Sequence, residues 1–66
     1  MRLKKKQIKE LAIELEAVNL DKDSETLPSG ATEIAYSWNE TNGFKSSAIY
    51  KFEHRFYFTE YPNHYK

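Results

Sequence analysis

The sequence predicts an α+β fold in which one N-terminal helix packs on a three-stranded antiparallel β-meander (αβββ). Three observations point there. Up to residue 18 the apolar residues recur at helical spacing, and from Thr32 they alternate with period two. All ten aromatic residues lie between Tyr36 and Tyr65. Sixty-six residues leave room for a single small domain, 1–66, with no second core.

The helix is expected at about residues 3–18. Ile8, Leu11, Leu15 and Val18 form one apolar stripe with Ala12 beside them, and Lys6, Lys9, Glu10, Glu14 and Glu16 occupy the other side. Asn19 is a plausible stop, because Asn tolerates the left-handed conformation found just past helix ends. Lys4, Lys5 and Lys6 stand at the positive end of the helix dipole, where each costs roughly a few tenths of a kcal/mol. Either they precede the ordered helix or another role retains them.

Residues 19–30 read as a polar connector containing Asp21, Asp23, Ser24 and Glu25. Leu27-Pro28-Ser29-Gly30 fits a type I turn that feeds the sheet region, residues 31–61. In the first strand Ile34, Tyr36 and Trp38 alternate with more polar neighbours. Asn42-Gly43 marks the turn. A two-residue loop would pair Tyr36 with Ile49. A three-residue loop with Gly43 left-handed pairs Tyr36 with Ala48, Ile34 with Tyr50 and Glu33 with Lys51, and is preferred because apolar then faces apolar.

From Ala48 the even positions are apolar, interrupted only by His54: Ala48, Tyr50, Phe52, then Phe56 and Phe58. A bend near Glu53-His54-Arg55 that keeps this parity sets Phe52 against Phe56 and Tyr50 against Phe58. The bend lacks Gly, Asn and Pro, so one long bent strand across residues 44–61 stands as the alternative. Pro62 ends the strand region, and residues 62–66 form a short tail.

Composition narrows the function classes. With no cysteine, disulfides and Cys-based zinc sites are excluded. The absence of cysteine and of any apolar run long enough to span a bilayer leads to the expectation of a soluble, cytoplasmic protein with no membrane partner. A composition rich in Lys, Asn, Ile, Tyr and Phe suggests an AT-rich genome, bacterial or phage. Net charge is zero but sorted: residues 1–9 carry five bases and no acid, and residues 10–40 carry eight acids against Lys22. Neither His54 nor His64 sits in a recognisable catalytic frame, and no serine has a nucleophile-elbow context. Asp21-x-Asp23-x-Glu25 lacks the glycine and the final glutamate of a calcium loop. No enzyme, metal, cofactor or small-molecule substrate is expected.

If the helix covers the even face of the sheet, Ile49, Lys51, Arg55, Tyr57, Thr59 and Tyr61 line the other. Tyrosines interleaved with bases anchor protein interfaces. They also stack single-stranded bases, with phosphates held by nearby cations. The candidate binding residues are therefore Lys51, Arg55, Tyr57 and Tyr61, with Lys4, Lys5 and Lys6. The first expectation is a protein-interaction module, a subunit or inhibitor that meets a protein partner or self-associates as a homodimer. The alternative is a single-stranded nucleic-acid binder using the same residues.

Overall fold

The computed structural model describes residues 1–65; Lys66, the end of the predicted tail, lies outside them. The α+β class holds, with a mixed five-stranded sheet and two helices in place of one helix on a three-stranded meander. The elements are β1 (Arg2–Leu3), α1 (Lys5–Glu14), β2 (Val18–Asn19), α2 (Leu20–Asp23), β3 (Thr32–Asn39), β4 (Phe44–Phe52) and β5 (Arg55–Thr59), followed by a 3-10 turn at Pro62–His64. Strand order is β1-β3-β4-β5-β2. The antiparallel meander β3-β4-β5 is at the centre, and two-residue parallel strands pair with its outer strands, β1 with β3 and β2 with β5. These additions come from segments assigned by sequence to the helix and its flanks. Two residues carry too little alternation to register as a strand.

Helix α1 stops four residues before its predicted end. Leu15 caps it and Glu16 turns left-handed at φ 53°. The Glu16 amide donates to the Ile13 carbonyl at 3.1 Å and the Ala17 amide to the Ala12 carbonyl at 2.9 Å, which is a Schellman closure built without glycine. Asn19, expected to end this helix, instead begins α2: its Oδ1 accepts from the Asp21 and Lys22 amides, each at 3.0 Å.

The β3–β4 register matches the expected Tyr36–Ala48 pairing and departs from it on both sides. Glu33 pairs with Tyr50 and Thr32 with Lys51, because Ile34 is an extra residue in a bulge. The bulge turns Ile34 and Ala35 both toward α1. At the other end Ser46 is extra, and the loop spans residues 40–43 with Gly43 left-handed at φ 70°. In the connector the turn closes from the Ala31 amide to the Pro28 carbonyl, one residue later than predicted, with Gly30 taking the positive φ of 89°.

Strands β4 and β5 form a hairpin, which removes the single bent strand. Its turn is Glu53-His54, with Glu53 left-handed at φ 56°, and the pairs are Phe52–Arg55, Lys51–Phe56, Tyr50–Tyr57 and Ile49–Phe58. The expected Phe52–Phe56 and Tyr50–Phe58 pairs are thus shifted by one residue. A one-residue shift exchanges the faces of a whole strand. Helix α1 therefore covers Ala35, Ile49, Phe56 and Phe58 through Ile8 and Ala12, which splits the even set: Phe56 and Phe58 face α1, and Ala48, Tyr50 and Phe52 face away.

The opposite face is not open either. Leu20, Leu27, Ala31 and Tyr65 pack over Ala48, Tyr50, Tyr57, Tyr36 and Phe52. Ser47 through Tyr50 are consequently buried in succession, the pattern of a central strand covered on both sides. Asp21 fastens this second cover. Its Oδ1 accepts from the Thr59 hydroxyl at 2.7 Å and its Oδ2 from the Glu60 amide at 2.9 Å, while the Tyr65 hydroxyl approaches Oδ1 at 3.4 Å. No helix among the described residues is long and apolar enough to cross a membrane.

Candidate functional site

The second cover stops short of the β3–β4 hairpin, and there the largest exposed aromatics collect. Trp38 is 41% exposed, and Phe44 and Tyr61 are each 58% exposed, in a chain whose Tyr50, Tyr57 and Phe58 are buried. A groove of about 420 Å³ runs between the hairpin end and the C-terminal segment, lined by Trp38, Phe44, Lys45, Tyr50, Pro62 and Tyr65, among others. Phe44 and Pro62 also border a second hollow of about 330 Å³ that reaches Lys5, Tyr61 and His64. Trp38 borders a third, of about 500 Å³, beside Arg2, Lys4 and Gln7. These hollows make one corrugated end of the molecule with aromatic walls.

Topology brings the basic N-terminus to the same place. Strand β1 runs parallel to β3 toward the hairpin, so α1 begins there, with Lys4 beside Trp38 and Lys5 beside Asn42. The bases nearest the aromatics are paired. Arg2 meets Glu40 at 2.9 Å and lies 5.9 Å from the Trp38 ring centre, and Lys45 meets Glu33 at 2.8 Å and lies 4.8 Å from the Tyr36 ring centre. Lys9 pairs with Glu60 at 3.1 Å. Among the described residues, Lys4, Lys5 and Lys6 make no ion pair.

Two groove tyrosines hold their protons more tightly than usual. Burial raises the Tyr50 hydroxyl above its ordinary value, with the charge of Glu33 adding to it. Tyr65 is raised by desolvation and then by the charge and hydrogen bond of Asp21. The Tyr65 hydroxyl is already directed at Asp21. Ser37 shares its hydroxyl with Ser46 at 2.6 Å and with Ser47, so this serine group is satisfied within itself. Among the described residues no group of three or more His, Cys, Asp or Glu side chains could hold a metal ion.

The residues singled out from sequence do not form one face. Lys51 lies on the α1 side of the sheet, its ammonium 5.8 Å from the Phe56 ring centre. Arg55 lies on the other side, 5.7 Å from the Tyr57 ring centre. Tyr57 is only 3% exposed and belongs to the second core cluster. The Glu53-His54 turn is the cause, since it shifts β5 by one residue against β4, so that Lys51 and Tyr57 no longer share a side. Tyr61 is exposed past the end of β5, 6.1 Å edge-on to His64, and with Lys4 and Lys5 it joins the hairpin end; Lys6 is exposed on the first turn of α1. Trp38, Phe44, Arg2 and Lys45 were missed. Phe44 had left a trace: a large apolar residue directly after Asn42-Gly43, at a strand end with little core to enter. Comparison with protein-family models, curated proteins and solved structures finds no match to this chain.

Proposed function

We propose that this chain is a small non-enzymatic protein-interaction module, a subunit or inhibitor, that docks a protein segment at the β3–β4 hairpin end. The observation that carries this reading is the exposure of Trp38, Phe44 and Tyr61 around connected hollows. Large aromatics at a concave surface are what interface hot spots are made of. Docking falls to the groove because the sheet edges are partly occupied: β1 and β2 already pair with the outer strands of the meander, which blunts strand addition. A cysteine-free composition suits the cytoplasm.

A protein partner is favoured over single-stranded nucleic acid. Glu33, Glu40 and Glu60 stand among the bases at this end, each in an ion pair, and weaken the field that phosphates would need. The basic-tyrosine face that motivated the nucleic-acid reading is divided between two sides of the sheet.

Selection of a random-peptide library on the whole chain, with Phe44→Ser as counter-selection, tests the reading. Peptides that bind the native chain and lose about tenfold or more in affinity on Phe44→Ser are expected. Failure to enrich any peptide, or binding indifferent to Phe44 and Trp38, would overturn it. Saturable, salt-sensitive binding of mixed-sequence single-stranded oligonucleotides, read by Trp38 fluorescence, would replace the protein partner with nucleic acid.

A further inference from the structure

Helix α1 carries its charge the wrong way round. Lys5 and Lys6 fill its first turn behind Lys4, no acid stands in that turn, and no base stands in the last. Glu10 and Glu14 are four residues apart near the negative end of the dipole, and Glu16 follows the cap. The first-turn lysines and Glu14 oppose the dipole, and Glu10 and Glu14 repel across one turn, with Lys6, four residues before Glu10, offsetting part of this. Between chains the same arrangement is complementary. The α1 end beside the aromatic groove is basic, and the far end is acidic.

The acidic end also carries an apolar knob. Ile13 is 78% exposed, the most exposed large hydrophobic residue among those described, and it stands three residues past Glu10 and next to Glu14. It lies on the outer side of α1, away from Ile8 and Ala12, and helps no core cluster of its own chain. Its match is the aromatic hairpin end, where Trp38 and Phe44 wall one hollow, Lys5 borders a second beside Phe44, and Lys4 borders a third beside Trp38.

We infer that the occupant of the groove is a second copy of this chain, inserting Ile13 with Glu10 and Glu14 against Lys4 and Lys5 of its neighbour. This deepens the interaction reading and rests on it. The contact is head-to-tail: the surface that gives and the surface that receives are different patches of one chain. Such a contact does not close as a pair of identical halves, and it grows into a ring or an open chain. Charge complementarity sets its register and makes it weaken with salt.

Sedimentation of the native chain over a concentration series at low and high salt tests this, together with two variants. Ile13→Ser removes the knob, and Lys4→Glu with Lys5→Glu removes the receiving charges. All three positions are exposed, so circular dichroism melting should show both variants folded. The native chain is expected to grow beyond a dimer as concentration rises, and each variant alone to lose about tenfold or more in association. Mixed in equal amounts, the two variants should form a 1:1 dimer and stop there, because only one intact knob and one intact groove remain to meet. A native chain that stays monomeric up to about millimolar concentration, a level at which even weak contacts register, overturns the inference. So does a closed dimer insensitive to both variants. If the native chain stays monomeric yet selected peptides still bind at Phe44, the groove reading stands and the second copy is replaced by another protein.

Discussion

The two faces of this sheet are built from different materials. On one side α1 lays Ile8 and Ala12 on Ala35, Ile49 and Phe58, a mainly aliphatic arrangement with Phe56 at its margin. On the other, a non-repetitive connector and the C-terminal segment lay Leu20, Leu27, Ala31 and Tyr65 on a tyrosine-rich surface, fastened by one carboxylate. The first cover is a regular helix whose stripe repeats. The second is irregular, held by polar contacts between residues about forty positions apart, and it runs out before the β3–β4 hairpin. The difference explains where the candidate site lies: a helix covers its face continuously, whereas a loop covers only what it can reach.

The sharpest way to break the first face is Ile8→Ala. Ile8 is fully buried beneath α1, and the truncation should lower stability by about 2–5 kcal/mol, read from urea unfolding. In a domain this small such a loss approaches the whole of its stability. The second face should break at Asp21. Asp21→Ala strands the Thr59 hydroxyl and the Glu60 amide and should cost about 1–3 kcal/mol. Asp21→Asn, which keeps an acceptor, should recover part of that in the same assay. If Asp21→Ala melts like the native chain, the second cover is not held as described.

Glu16→Gly acts in the opposite direction. Glu16 holds a left-handed conformation that glycine adopts without its steric penalty, so the substitution should stabilise by about 1 kcal/mol and raise the melting temperature. Alkaline titration separates the faces most gently. Tyr50 keeps its proton above its ordinary value of 10.0, so the unfolded chain ionises first as pH rises. The stability this contributes is intact below pH 10 and is lost as pH climbs through the folded-state value, with Tyr65 acting in the same direction. Melting temperature should fall above pH 10, and Tyr50→Phe should flatten the fall. An unchanged alkaline slope in Tyr50→Phe would place the sensitive group elsewhere.

Much of the first face was legible residue by residue. Ile8, Leu11, Ala12 and Leu15 announce a helix because a helix repeats its contacts every three to four residues, and all four pack on the core. Tyr36–Ala48 was reached through a compensation: the loop is one residue longer than the three-residue loop expected, and the extra Ser46 in β4 restores the register. Asp21 was not legible. Its partners Thr59 and Glu60 lie at the other end of the chain, and by itself it reads as one more solvated acid. Tyr57 and Lys51 were placed on a shared face by parity alone, and parity across a turn depends on turn length. Glu53-His54 has no residue that declares its length.

Residue order alone carried the α+β class, the stripe from Ile8 to Leu15, the β3–β4 antiparallel pair and the crowding of aromatics into the second half of the chain. These follow from local periodicity and turn chemistry, which neighbouring residues express together. The closed fold settled which face α1 covers, that β4 and β5 part at Glu53-His54, that Val18–Asn19 and Arg2–Leu3 join the sheet, and that Trp38, Phe44 and Tyr61 are the aromatics left outside. Those outcomes hang on single-residue shifts at Ile34, Ser46 and Glu53, and on contacts between distant segments. A bulge or a left-handed glutamate is stabilised by the packing it permits, and that packing exists only once the chain has closed on itself.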